Sequence, residues 1–169
     1  FQPIVMCDRK VAQGTGDIAV EPAMTQEQCL RAILAGIEVV ADLSTQGYEM
    51  IGMGEMGIGN TTPSSALVSV LLNLPAEEVT GRGAGLSDAS YNKKVAVIEQ
   101  AVKRYWKATE DSEIPDGPFF KIDAAVELMS HLGGYEIAAM TGMCLGGAVF
   151  GVPIVLDGYI SVAGALCAS

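Results

Sequence analysis

Two glycine-rich loops and one strand-end acid hold the residue types that could do chemistry. The first loop, Gly54-Glu55-Met56-Gly57-Ile58-Gly59-Asn60, carries a single carboxylate among small and apolar neighbours. The second, Thr80-Gly81-Arg82-Gly83-Ala84-Gly85, carries a guanidinium, and Lys94 follows in the next predicted helix. Exposed backbone N–H groups beside a helix N-terminus form a site for an anion, most often a phosphate. Arg82 and Lys94 would add charge-assisted hydrogen bonds to it. Glu55 can hydrogen-bond a sugar hydroxyl or act as a base. Asp157-Gly158 closes the apolar run VPIVL, and a strand end is a frequent functional position in α/β folds. Spacing alone leaves plainer readings open. The glycines can serve tight turns, Lys94 can be a solvated helix residue, Glu55 an exposed loop acid, and Asp157 a helix cap.

Other chemistries find less support. Gly52-x-Gly54-x-x-Gly57 matches the dinucleotide fingerprint in form, but Gly52 falls inside a predicted strand and the next helix starts only near residue 62. A dinucleotide-dependent oxidoreductase would bind NAD in a titration, and none is expected. Neither glycine loop continues as GK[ST], so the Walker pattern is absent. Cys7, Cys29, Cys144 and Cys167 form no CxxC pair and read as buried, reduced core residues, with no metal expected. The single histidine, His131, sits near a predicted helix end, which leaves a Ser-His-Asp triad or a His-ligated metal poorly supported.

The elements that must position these residues alternate. Residues 1–8 hold an apolar run readable as a strand, and 9–21 read as a loop. Thr25 and Gln28 form a capping box, and Leu30, Ile33, Leu34, Ile37, Val40 and Ala41 recur at helical spacing up to about Gly47. Glu49–Met53 reads as a short buried strand feeding the first loop. Thr62-Pro63 then starts a helix, with Thr62 as N-cap. Ser87 or Asp88 caps a long helix to about Lys107, with Tyr91, Val95, Ile98, Val102 and Tyr105 on its buried side. Residues 109–119 read as a surface connection, and 121–131 as a helix ending at Gly133-Gly134. The stretch Tyr135–Phe150 is a helix whose Ala, Gly, Met and Cys content predicts close backbone packing. Pro153–Leu156 is a strand, Asp157-Gly158 ends it, and 160–168 begin another helix. This alternation predicts an α/β fold with a mainly parallel sheet. Loops 54–60 and 157–161 should then converge at the strand C-termini.

The 169 residues are 50% hydrophobic and 18% charged, which suits one domain with a core and rules out a mostly disordered chain. A net charge of −10 with no basic run argues against nonspecific binding to nucleic acid or acidic membranes. No membrane-span pattern or signal peptide is seen, and cysteine usage points to the cytoplasm. The opening at Phe1 and the stop at Ser169 inside a small-residue run read like a piece of a longer chain.

Four blocks are more specific than any glycine pattern. GEMGIGNTTPSSAL (54–67), TGRGAGLSDASYNKK (80–94), GGYEIAAMTGMCLGGA (133–148) and VPIVLDGYISVAGAL (152–166) closely resemble the nicotinate-nucleotide:dimethylbenzimidazole phosphoribosyltransferase (CobT) family, as does GTGDIAVEPAMT (14–25). The blocks stand in the family's order and cover nearly the whole chain. The resemblance implies a Rossmann-like three-layer domain, here incomplete at both ends. Residues 1–169 would be part of the large nucleotide-binding domain, with the small helical domain largely absent. It implies a pentosyltransferase that moves phosphoribosyl from nicotinate mononucleotide to dimethylbenzimidazole, giving alpha-ribazole phosphate and nicotinate in cobalamin lower-ligand synthesis. No cofactor is implied, and the full-length protein would be a homodimer. By the same resemblance Gly57, Gly59 and Asn60 meet the nucleotide. Glu55 lies near the ribose and the reacting centre, Gly81, Arg82, Gly83 and Lys94 bind the phosphate side, and Asp157 and Gly158 lie beside the base. The principal base glutamate is expected in a later segment, so the 169 residues alone are expected to be inactive. Two alternatives stand beside this reading: a paralogue with adenine or a phenol as acceptor, and a non-catalytic nucleotide-binding partner subunit.

Overall fold

The computed structural model describes residues 6–82, 85–109 and 122–169. Residues 1–5 of the predicted first strand, Gly83 of the second loop and nearly all of the predicted 109–119 connection lie outside the described residues. The elements run α1 (Gln26–Thr45), β1 (Ile51–Met53), α2 (Thr61–Leu72), α3 (Ala76–Val79), α4 (Asp88–Ala108), α5 (Ile122–Leu132), α6 (Tyr135–Phe150), β2 (Ile154–Leu156) and α7 (Tyr159–Cys167). Helices dominate, and the two strands form a small parallel sheet, in keeping with an α/β fold. Residues 6–8, read above as part of a strand, are irregular.

Local chemistry sets most boundaries. Thr25 and Gln28 close the expected capping box, with Gln28 N donating to Thr25 Oγ1 at 3.1 Å and Thr25 N to Gln28 Oε1 at 2.9 Å. Gly47 takes φ +85° just past the helix end, a conformation that favours glycine. Ser87 caps α4 by accepting from Ser90 N. The predicted Thr62 cap is corrected. Ser64 N bonds to Asn60 O at 3.1 Å, so α2 starts at Thr61 with Asn60 as N-cap. Pro63 still falls in the first turn, where its missing N–H costs nothing.

The core is built around α1 against α6. At Gly36 and Gly142 the backbones touch, since a Cβ on Gly36 would stand 1.9 Å from Ala139 O and one on Gly142 1.9 Å from Ile33 O. The small residues of α6 therefore serve helix packing, as their composition predicts. Ile33, Val40, Ile137 and Ala138 are buried along this seam. Cys29 is fully buried and Cys144 and Cys167 are partly so, whereas Cys7 is exposed, which corrects the uniform reading of the cysteines. Burial pushes the Cys29 thiol up to about 11 and the Cys167 thiol to about 12, so both stay protonated and inert near neutral pH.

A second cluster ties α4 and α5 to the 16–24 segment. Arg104 Nη2 donates to His131 O at 2.9 Å, Arg104 Nε to Ile18 O at 3.2 Å, and Arg104 Nη1 lies 3.3 Å from His131 Nδ1. Burial, and then the Arg104 charge, lower the His131 pKa below 6.5, against an opposing pull from Glu127. The unfolded chain therefore takes up this proton first as pH falls. Stability from His131 should be complete above about pH 6.5 and decline below it. In acid denaturation, His131→Asn should flatten that window relative to wild type, and an unchanged slope would remove His131 as its source.

The strands meet in register Ile51↔Ile154, Gly52↔Val155 and Met53↔Leu156, so the 54–60 and 157–158 segments leave the same sheet edge. Pairing with β1 alone, among the described residues, leaves Val155 49% and Leu156 38% exposed. The strand before Asp157 is thus not buried, although its residues are apolar.

Candidate functional site

The first glycine loop is shaped by left-handed turns. Gly57 and Gly59 take φ +72° and +74°, conformations that strain a side-chain-bearing residue. The Glu55 carboxylate is folded back into this loop. Its Oε2 accepts from the Gly57 N–H and, at 2.5 Å, from Asn60 Nδ2. Asn60 is buried and makes no side-chain cap bond to α2, because its amide is turned to Glu55. Among the described residues no hydrogen bond reaches Glu55 Oε1. Glu55 thus braces its own loop through Oε2. It lines a cleft of about 430 Å³ with Asn60, Glu136, Met140 and Met143.

Lys94 stands where the two glycine loops meet. Its Nζ donates to Thr61 Oγ1 at 3.0 Å and to Gly81 O at 3.3 Å. Burial lowers the pKa of its ammonium from 10.5. The side chain borders two clefts. One, of about 450 Å³, also includes Gly57, Thr61, Arg82 and Lys93. The other, of about 490 Å³, includes Thr61, Gly81, Tyr159 and an apolar floor. An anion there would find a partly desolvated ammonium beside the first turn of α2. Arg82 lines the same cleft but is already engaged. It pairs with Asp88 at 2.6 Å and lies 4.7 Å over the Tyr91 ring.

Gly57, Arg82 and Lys94 are thus brought to one cleft, Gly81 and Lys94 to the adjoining one, and Glu55 and Asn60 to a third. Gly59 shapes the loop, and Gly83 lies outside the described residues. Asp157 and Gly158 are exposed at the strand end and line none of these three clefts. Their neighbour Tyr159 does. Thr61, Glu136 and Tyr159 were missed by the motif reading. Each had only a positional signal: Thr61 follows the glycine loop, Glu136 follows Gly133-Gly134, and Tyr159 follows Gly158. Among the described residues, no three His, Cys, Asp or Glu side chains gather as metal ligands would, and no helix is long and apolar enough to cross a membrane.

A parallel strand pair with a glycine loop at its carboxyl edge, and a lysine between that loop and the second one, suits a protein that binds an anionic ligand. A family model described as phosphoribosyltransferase matches residues 2–169, and the chain belongs to that family. Among curated relatives, it is 46% identical over 165 residues to the nicotinate-nucleotide–dimethylbenzimidazole phosphoribosyltransferase of Chlorobium chlorochromatii, covering 98% of this chain and 42% of that protein. The enzyme of the same name from Clostridium perfringens is 40% identical, over 96% of this chain and 41% of its own length. The crystal structure of CobT from Thermus thermophilus superposes with a TM-score of 0.81 at 38% identity, over 96% of this chain and 44% of that one. The chain thus spans about 42% of the length of the first of these relatives.

Proposed function

We propose that the chain forms the nucleotide-binding part of a nicotinate-nucleotide–dimethylbenzimidazole phosphoribosyltransferase. The observation that carries this reading is Lys94, held between Thr61 Oγ1 and Gly81 O where the two glycine loops meet. In this proposal the phosphate of nicotinate mononucleotide sits at Lys94, with Gly81 on one side and Arg82 at the rim; Gly83, assigned the same role by the resemblance, lies outside the described residues. Gly57, Gly59 and Asn60 face the ribose, and Asp157 and Gly158 lie towards the base. Glu55 stands near C1′ as a supporting carboxylate.

The chemistry needs little from the protein beyond position and charge. Nicotinate leaves as a pyridinium already activated for departure, so no metal or strong acid is required. An azole nitrogen of dimethylbenzimidazole attacks C1′ with inversion as the C1′–N bond to nicotinate breaks. A carboxylate then accepts the azole N–H proton. Holding both partners in line contributes much of the acceleration. We further propose that the 169 residues form part of a Rossmann-like three-layer large domain of a cytoplasmic homodimer. Segments present in the longer relatives would complete the acceptor pocket and supply the principal base.

The reading is tested by giving the full-length, folded protein nicotinate mononucleotide and dimethylbenzimidazole and assaying for alpha-ribazole phosphate. No product would reject it. Lys94→Ala should raise the KM for nicotinate mononucleotide about tenfold while kcat changes little, since one charge-assisted bond to the phosphate is lost. An unchanged KM would leave Lys94 only as the tie between Thr61 and Gly81.

A further inference from the structure

We infer that Tyr159 is a positioning residue for the phosphate end of the site, its hydroxyl fixing the Val79 carbonyl and so the place where Gly81 meets Lys94. The inference rests on the phosphate-binding role proposed above for the Gly81–Lys94 corner.

The Val79 carbonyl accepts two hydroxyl hydrogen bonds at 2.9 Å, one from Ser65 Oγ on α2 and one from Tyr159 Oη at the start of α7. The two hydroxyl oxygens are themselves 3.3 Å apart. Val79 ends the one-turn α3, whose last carbonyls have no partner within the helix. Two residues further on, Gly81 O accepts from Lys94 Nζ at 3.3 Å. Between them Thr80 turns its own hydroxyl to Ala76 O at 2.6 Å. The short stretch from Val79 to Gly81 is therefore pinned from α2, α7 and α4. Every pin is a polar contact made by a side chain.

Tyr159 is the one of these pins that also belongs to the strand-end segment. It directly follows Asp157-Gly158 and lines the same cleft as Lys94 and Gly81. Its hydroxyl thus links the β2 edge to the second glycine loop, two regions far apart in sequence. Ser65 is fully buried and would keep α3 in place without Tyr159, so removing only the phenolic oxygen should loosen the loop without unfolding it. The consequence belongs to anion affinity. A phosphate gains from N–H groups and an ammonium only when they are already converged, and each freed degree of motion is lost again on binding.

The test is Tyr159→Phe in the full-length protein, with inorganic phosphate as the probe in a calorimetric titration. We expect a Kd for phosphate about five- to tenfold weaker than wild type, the scale of one lost hydrogen bond. The KM for nicotinate mononucleotide should rise by the same factor, with kcat within about twofold. Ser65→Ala removes the other donor to the same carbonyl and should shift phosphate affinity the same way, which keeps the test open if Tyr159→Phe does not fold. A merely structural tyrosine would lower the melting temperature and leave the phosphate Kd alone, and that result overturns the inference. Absence of saturable phosphate binding by wild type also overturns it. A protein that makes no alpha-ribazole phosphate, yet loses phosphate affinity on Tyr159→Phe, rejects the transferase reading and supports the role of Tyr159. Normal product formation with an unchanged nucleotide KM does the reverse.

Discussion

Gly142→Ala should lower the thermal unfolding temperature of the protein by about 10 °C, and Gly36→Ala should do the same. Helix propensity argues the other way, since alanine in a helix interior is favoured over glycine by about 1 kcal/mol. Contact geometry decides the sign. The new methyl on Gly142 would stand 1.9 Å from Ile33 O, 2.7 Å from Ile33 C and 3.0 Å from Ile33 Cα, all backbone atoms of α1. No rotamer change relieves such a clash, so the two helices must part. Ordinary overpacking costs about 1–3 kcal/mol, and separating the main core seam should exceed it, reaching about 3–5 kcal/mol. That is a large share of a typical total of about 5–15 kcal/mol. Gly14→Ala is the control, because an added Cβ there meets nothing within 4 Å. Differential scanning calorimetry of the three variants decides the matter. A wild-type melting temperature for Gly142→Ala would show that α1 and α6 are not in backbone contact.

That seam shows what a sequence can disclose about this fold. Glycines spaced through the apolar Tyr135–Phe150 helix have no role in propensity, so close approach was the physical reason left for them, and it is what α1 and α6 display. The capping box at Thr25 was legible for a similar reason, as was the option of tight turns at the first loop's glycines, since each rests on chemistry within a few residues. Features that depend on distant partners were not legible. The four-residue α3 is too short to show a period, and it is held in part by Ser65 and Tyr159 through the Val79 carbonyl. Apolar residues in β2 suggested burial, but burial of a strand is set by its neighbours, and β2 has β1 on one side only among the described residues. In the candidate site, residue types pointed to Glu55 and Lys94, yet nothing local revealed that Arg82 would be tied to Asp88 or that Glu55 would brace its own loop.

The double use of Glu55 leads to the second large effect. In the full-length protein, on the transferase reading proposed above, Glu55→Gln should reduce kcat/KM for alpha-ribazole phosphate formation by about a hundredfold while leaving the melting temperature within about 2 °C of wild type. Glutamine keeps an oxygen able to accept from the Gly57 N–H and from Asn60 Nδ2, so the loop that Glu55 Oε2 organises should persist. What the substitution removes is the carboxylate's negative charge and proton-accepting ability at the cleft it lines. A positioned carboxylate acting on a proton contributes about 10²–10⁴-fold, and a charged acceptor on a sugar hydroxyl contributes about 1.5–3 kcal/mol, so either role predicts a loss near the hundredfold scale. Glu55→Ala separates bracing from chemistry. It removes both, and should add a lower melting temperature and a raised nucleotide KM to the loss seen with glutamine. The two chemical roles part in the kinetics: a proton-accepting Glu55 loses mainly kcat in Glu55→Gln, whereas a ribose-binding Glu55 mainly raises the nucleotide KM. Wild-type kinetics in Glu55→Gln would remove Glu55 from the site and leave it only as the brace of its own loop.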